Sequence, residues 1–176
     1  MQRGVSSMRS LAECVTYVGE LCQKRILETD ANDEGITLDA TLFIWLPQDE
    51  SGEPVPVLVG PLMARKDFAA MAMRKLMREL GVTHYVFASE AWSRSIDPKD
   101  ADETGMPNDG LMPREAPDRL EVLLLTGSDL RGQSVTQVFE MARDGLGRVR
   151  EFRRLCVDYN QMAGRFTDML GEITVQ

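Results

Sequence analysis

His84-Tyr-Val-Phe-Ala-Ser-Glu-Ala-Trp92 (HYVFASEAW, residues 84–92) reads as a β-strand that takes up a carboxylate before its tryptophan. Tyr85, Val86 and Phe87 are strong strand formers. Strand alternation sets His84, Val86, Ala88, Glu90 and Trp92 on one face and Tyr85, Phe87, Ser89 and Ala91 on the other. Both faces are apolar through the middle, so the strand belongs at the centre of a sheet. A buried carboxylate there needs a partner, or it keeps its proton. The next strand-like run, DRLEVLLLTG at 118–127, offers two readings. In one, Arg119 lies across from Glu90 as a structural ion pair. In the other, Glu90 is a tuned acid or base, with Glu121 or His84 as its neighbour, beneath the polar stretch 95–117.

Working outward from this strand gives the element order. Ser10 and Glu13 form an S-x-x-E capping box ahead of Leu11, Cys14, Val15, Val18, Leu21 and Cys22, which recur at helical spacing. TLFIWL (41–46) and VPVLVGPL (55–62) flank a turn-rich linker and read as a hairpin, with Pro56 marking an edge. A second helix follows, capped by Asp67 and ended by Gly81, with Phe68, Met71, Ala72, Leu76 and Leu80 expected as its core stripe. The runs 83–94, 118–127, 133–143 and 147–157 are strands, the last two joined by the turn signal DGLG. Asp158 and Gln161 open a closing helix striped by Tyr159, Met162, Phe166, Met169 and Leu170 and ended by Gly171. The order α-β-β-α-β-β-β-β-α predicts an α+β fold: an antiparallel sheet of about six strands with three helices packed on one side. Residues 1–176 are expected to be one domain, interrupted by a long polar insert at 95–117.

The composition is that of an ordinary globular protein, 43% apolar and 27% charged, with a net charge of −8. No apolar run reaches the roughly 20 residues of a membrane span, and the first residues show no export signal. Cys14, Cys22 and Cys156 form no C-x-x-C and read as reduced thiols, so the expected compartment is the cytoplasm. An acidic chain repels nucleic acid on average, so neither nucleic acid nor a membrane is an expected partner.

Few motifs carry chemistry. Nucleotide-binding, zinc-protease and nucleophile-elbow signatures are missing, and no cofactor is implied. Asp100, Asp102 and Thr104, with Gly105 and Asn108, match early places of a calcium loop, but Leu111 stands where its closing glutamate belongs. No metal is therefore assigned. RVREFRR (148–154) sets Arg148, Arg150 and Arg154 on one strand face, either as a phosphate-binding patch or as a solvated, charge-guarded edge. Eleven methionines read as adaptable core filler.

Ser89-Glu90-Ala91-Trp92, followed by Pro117, Asp118, Arg119, Glu121 and Val122, resembles a set of uncharacterised bacterial and phage-associated proteins. In these, a strand ending in Ser/Thr-Glu-Ala-Trp precedes an Arg-x-Glu-Val strand. The likeness spans residues 60–130. It implies no activity and points to an accessory role in a phage or mobile element.

Three functions fit these features. The leading one is a non-catalytic, cytoplasmic protein that binds another protein or itself, with a homo-oligomer expected and Arg119, Trp92, Arg148, Arg150 and Arg154 as contact candidates. The alternative is a hydrolase-like enzyme using Glu90 with Glu121 or His84 under the 95–117 loop. The third is an acidic mimic of nucleic acid. An enzyme requires its groups to converge on a pocket. A binding module locks them in ion pairs and exposes an apolar patch elsewhere.

Overall fold

A computed structural model describes residues 9–31, 38–47, 52–94, 98–100, 108–111 and 115–156. Its elements are α1 (Leu11–Ala31), β1 (Thr41–Trp45), β2 (Val55–Leu58), a 3-10 turn (Gly60–Arg65), α2 (Lys66–Glu79), β3 (His84–Ser93), β4 (Leu120–Asp129), β5 (Ser134–Arg143) and β6 (Val149–Leu155). All six strands join one antiparallel sheet in the order β2-β1-β3-β4-β5-β6. The α+β class and the central place of HYVFASEAW follow directly. The third helix and most of the calcium-loop residues fall outside the described residues, while Asp100 and Asn108 lie within them. The two described helices pack on opposite faces of the sheet, correcting the expectation of a single helical side.

Local chemistry starts α1 as expected. The Ser10 N–H donates to Oε2 of Glu13 at 2.6 Å, and the Glu13 N–H donates to Oγ of Ser10 at 3.3 Å. The helix then buries Cys14, Val15, Val18, Cys22 and Ile26 against Val86 and Ala88 of β3 and Leu123 and Leu125 of β4. Two glycines set this contact. A Cβ on Gly19 would sit 2.9 Å from Leu125, and one on Gly127 would sit 2.6 Å from Val15. Helix knob meets sheet gap and sheet knob meets helix gap, so α1 lies close on β4.

On the other face, Leu42 and Ile44 of β1 and Tyr85 and Phe87 of β3 meet α2. Here the expected helix stripe holds only in part: Ala72 and Leu76 pack half-buried on this cluster. Ala69, Ala70, Met73 and Met77 are buried, whereas Phe68 and Met71 are 53% and 58% exposed. The small alanines let the helix approach the sheet, which turns the larger side chains outward. Asp67 is not the cap either: the helix begins at Lys66, Arg65 holds the cap position, and Asp67 lies in the first turn. The C-terminal end is as read. Gly81 has φ +65, and the Val82 N–H donates to Met77 O at 2.9 Å.

The β5–β6 hairpin closes on Asp144. Its Oδ1 accepts the N–H groups of Leu146 and Arg148, at 2.9 and 3.0 Å. The backbone bond from Arg148, then the Arg150 side chain, hold the Asp144 carboxyl at about 2, below the ordinary 3.8. A lowered carboxylate stabilises the fold above its unfolded pKa and ceases to do so as pH falls through its folded one. We therefore expect the hairpin's contribution to be intact above about pH 4 and lost toward about pH 2. A carboxyl carbon titration by NMR checks this. A midpoint for Asp144 at the ordinary aspartate value would show that the turn contacts do not hold in solution.

Candidate functional site

The residues singled out by sequence separate into two groups at opposite ends of the sheet. At one end, on the α1 face, lie Glu90, Trp92, Glu121 and Arg119. The register sets Leu123 opposite Glu90 and Glu121 opposite Trp92. Glu90 and Glu121 are thus diagonal neighbours, about 7–8 Å apart at their backbones.

The cross-strand pairing of Glu90 with Arg119 is not what the ladder provides. Arg119 precedes β4, and its guanidinium stacks 4.9 Å from the centroid of the Trp92 ring. Glu90 instead reaches across to the chain entering β1, where the Leu38 N–H donates to its Oε1 at 2.6 Å. The β1–β3 ladder starts at Thr41 opposite Ala88. Just beyond it, the Glu90 carboxylate supplies the acceptor that a strand backbone would otherwise give. Burial declines along β3 after Ala88, so the carboxylate is half-buried rather than enclosed.

Glu121 is engaged by Arg143, whose Nε and Nη2 donate to its two oxygens at 2.6 Å each. Arg143 Nη1 also donates to Gly147 O at 2.6 Å, tying β4 to the β5–β6 turn. Sequence reading passed over Arg143; its only signal was an arginine closing a strand. Nearby, Arg94 bridges Asp109 at 2.7 Å and Asp118 at 3.1 Å, clasping the two sides of the 95–117 insert.

The arginines of β6 do not form one patch. Arg150 and Arg148 both reach Oδ2 of Asp144, at 2.7 and 3.5 Å. A register shift between Ala142 and Arg143 breaks the alternation, so Val149 and Phe152 both turn to the α1 core. Arg154, opposite Phe139, stays on that side, apart from the Asp144 pair.

His84 occupies the other end. It is six residue steps from Glu90 along the same strand, which is about 20 Å. It stands opposite Asp129 at the end of β4. Burial lowers its pKa; Asp129 opposes that effect and Arg131 reinforces it. Its Nδ1 is 3.0 Å from the Thr83 hydroxyl. A cavity of about 370 Å³ opens here between the first turn of α1, the start of β3 and the β4–β5 turn. Asp129, Arg131 and Gln133 line it, and the sequence marked them only as a strand boundary.

Among the described residues no group of three or more His, Cys, Asp or Glu side chains could hold a metal. Burial pushes the Cys14 thiol up to about 11 and that of Cys22 to about 12, so neither is a ready nucleophile. No helix among the described residues is long and apolar enough to cross a membrane. The chain matches no protein-family model, no curated protein and no solved structure.

Proposed function

We propose that this protein acts by binding rather than by catalysis, as a self-assembling accessory protein, and that the outer face of α2 docks a second copy. The observation that carries this reading is the rotation of α2. Its large apolar side chains, Phe68 and Met71, are presented to solvent while alanines fill the interior. A helix that needed only to cover the sheet would bury them; about 1.5–3 kcal/mol is gained by fully burying such a side chain.

Charge favours a second copy as the occupant. Arg65, Arg74, Lys75 and Arg78 outnumber Asp67 and Glu79 around this face, in a chain of net charge −8. The face is a basic island on an acidic molecule, and another copy offers it acidic surface. The sheet edges are not the surfaces we assign to this role. β2 has four residues and a proline, and β6 carries charge at Arg150, Glu151, Arg153 and Arg154. The third helix, read from the sequence at Asp158–Gly171, belongs to this proposal.

The hydrolase reading has less support. Its histidine and Glu90 stand at opposite ends of one strand, and Glu121 is held in a bidentate pair with Arg143.

Light scattering over a concentration series tests the proposal. Wild type is expected as a dimer or larger, and Phe68→Glu with Met71→Glu should weaken association about 10–100-fold. Both positions are exposed, so circular dichroism should be unchanged. A wild-type monomer of 19.7 kDa at every concentration overturns self-assembly. An oligomer indifferent to the double variant overturns α2 as its docking face.

A further inference from the structure

We propose that the cavity at the His84 end of the sheet is a binding site for a small oxyanion, a carboxylate or phosphate group, held by the guanidinium of Arg131 with the His84 imidazole as second donor. This site is independent of the α2 docking face.

The first support is its construction. The wall formed by the β4–β5 turn is pinned from within. Oδ1 of Asp129 accepts the N–H groups of Arg131 and Gln133, at 2.9 and 3.0 Å. The Asp129 N–H donates to Gln133 O at 3.2 Å, and the Leu130 N–H donates to Thr83 O at 3.3 Å. The turn is thereby fixed against the start of β3 without using the Arg131 side chain. A pre-formed cavity of about 370 Å³ lies within the range of small-molecule sites.

The second support is the donors. The Arg131 guanidinium makes no ion pair among the described residues, although the chain carries more acids than bases. Arg9, the other arginine of the cavity, is already occupied: it bridges Glu53 at 3.2 Å and stacks 4.2 Å from the Tyr17 ring centroid. Arg131 is therefore the fork available to an incoming oxyanion. His84 is its neighbour. Its Nδ1 lies 3.0 Å from the Thr83 hydroxyl, and the tautomer in which that hydroxyl donates to Nδ1 carries the imidazole proton on Nε2. At the start of α1 the N–H groups of Ser10 and Glu13 are already taken by the capping box. Asp129 has its charge moderated by two backbone donors and acts on the imidazole, favouring the proton that an anion would stabilise.

A second cavity, of about 230 Å³ beside Arg25 and Thr29, lacks this arrangement. The Thr29 hydroxyl donates to Arg25 O and the Thr41 hydroxyl to Asp39 O, each at 2.7 Å.

One consequence separates a true site from a merely basic turn. The charged groups around His84 are Arg9, just ahead of α1, and Asp129 and Arg131 from the β4–β5 end. An anion on Arg131 removes a cationic influence and adds a negative one, so His84 should gain proton affinity when the site fills. By reciprocity, the anion binds more tightly as pH falls through the His84 titration.

His84 is the only histidine of the chain, so its imidazole NMR signals need no assignment. They would be followed against pH in inorganic phosphate, in acetate, and in chloride at equal ionic strength. Phosphate or acetate should give a saturable shift and an upward-moved titration that chloride does not. The probe that saturates identifies the group recognised. Arg131→Ala should weaken this binding about tenfold or more, and Arg131→Lys should restore part of it. Arg131 is exposed and its backbone, not its side chain, holds the turn, so both variants should fold. Equal responses to all three salts, or saturation unchanged in Arg131→Ala, overturns the site.

Discussion

Replacing Gly127 by valine should cost about 2–4 kcal/mol of stability. For a chain of this length that is a fall of roughly 4–16 °C in melting temperature. Gly127 lies in β4 where α1 comes closest to the sheet. A Cβ there would meet Val15 Cγ2 at 2.6 Å, Leu11 Cδ1 at 3.1 Å and the Tyr85 carbonyl at 3.3 Å. Tyr85 is backbone within the central strand and cannot give way. Val15 is β-branched and fully buried, so it has little rotamer freedom to yield. Relief has to come from lifting α1 off the sheet, which opens the contacts of Val18 and Cys22 as well. The same position can be probed more gently. Gly127→Ala combined with Val15→Ala should be less destabilised than the sum of the two single variants, because the smaller partner vacates the space the new methyl needs. Thermal unfolding of the four proteins settles it. Strict additivity would mean that α1 does not seat on Gly127.

Removing the Glu90 side chain should cost about 1.5–3 kcal/mol, the range of a hydrogen bond to a charged group. In Glu90→Ala the Leu38 N–H loses the carboxylate that accepts it at 2.6 Å, and the chain entering β1 loses its hold on β3. Glu90→Gln keeps a carbonyl oxygen in the same place and should recover the share of the loss that belongs to Leu38. Amide exchange at Leu38 reads the contact directly: faster exchange in the alanine variant, near wild-type exchange in the glutamine variant. If Glu90→Ala is as stable as wild type and leaves Leu38 exchange unchanged, the carboxylate has no structural task. A ligand near Trp92 would then be the place to look.

The carboxylate inside HYVFASEAW thus shows how far linear information reaches. That 84–92 is a central strand could be read directly, because strand formers on both faces leave no solvent side. The face shared by Glu90 and Trp92 could be read as well, since alternation is a property of extended backbone. The contact of Glu90 with Leu38 could not. Its donor is a backbone N–H, distant in sequence, and backbone donors look alike in any sequence. The Glu121–Arg143 pair was hidden for a related reason: it joins strands whose register is settled by packing. The basic run 148–154 was misread because one extra residue in the β5–β6 ladder reverses the faces that simple alternation assigns.

What the chain determines by itself is its local grammar. The Ser10–Glu13 capping box, the glycine stop at Gly81, the Asp144–Gly147 turn and the alternating strands each arise from interactions within a few residues, and they suffice for an antiparallel α+β sheet. Only the tertiary structure decides which side of α2 faces inward and which polar groups meet. Helical periodicity offered Phe68, Met71, Ala72, Leu76 and Leu80 as the core stripe, and of these Ala72 and Leu76 pack on the core while Phe68, Met71 and Leu80 are exposed. The sheet buries Ala69, Ala70, Met73 and Met77 most fully. Close packing rewards the helix face that fits the Leu42, Ile44, Tyr85 and Phe87 surface, and that fit exists only once β1, β3 and α2 have been brought together. The same assembly sets Asp129 and Arg131 beside His84, three residues that no spacing in the sequence connects.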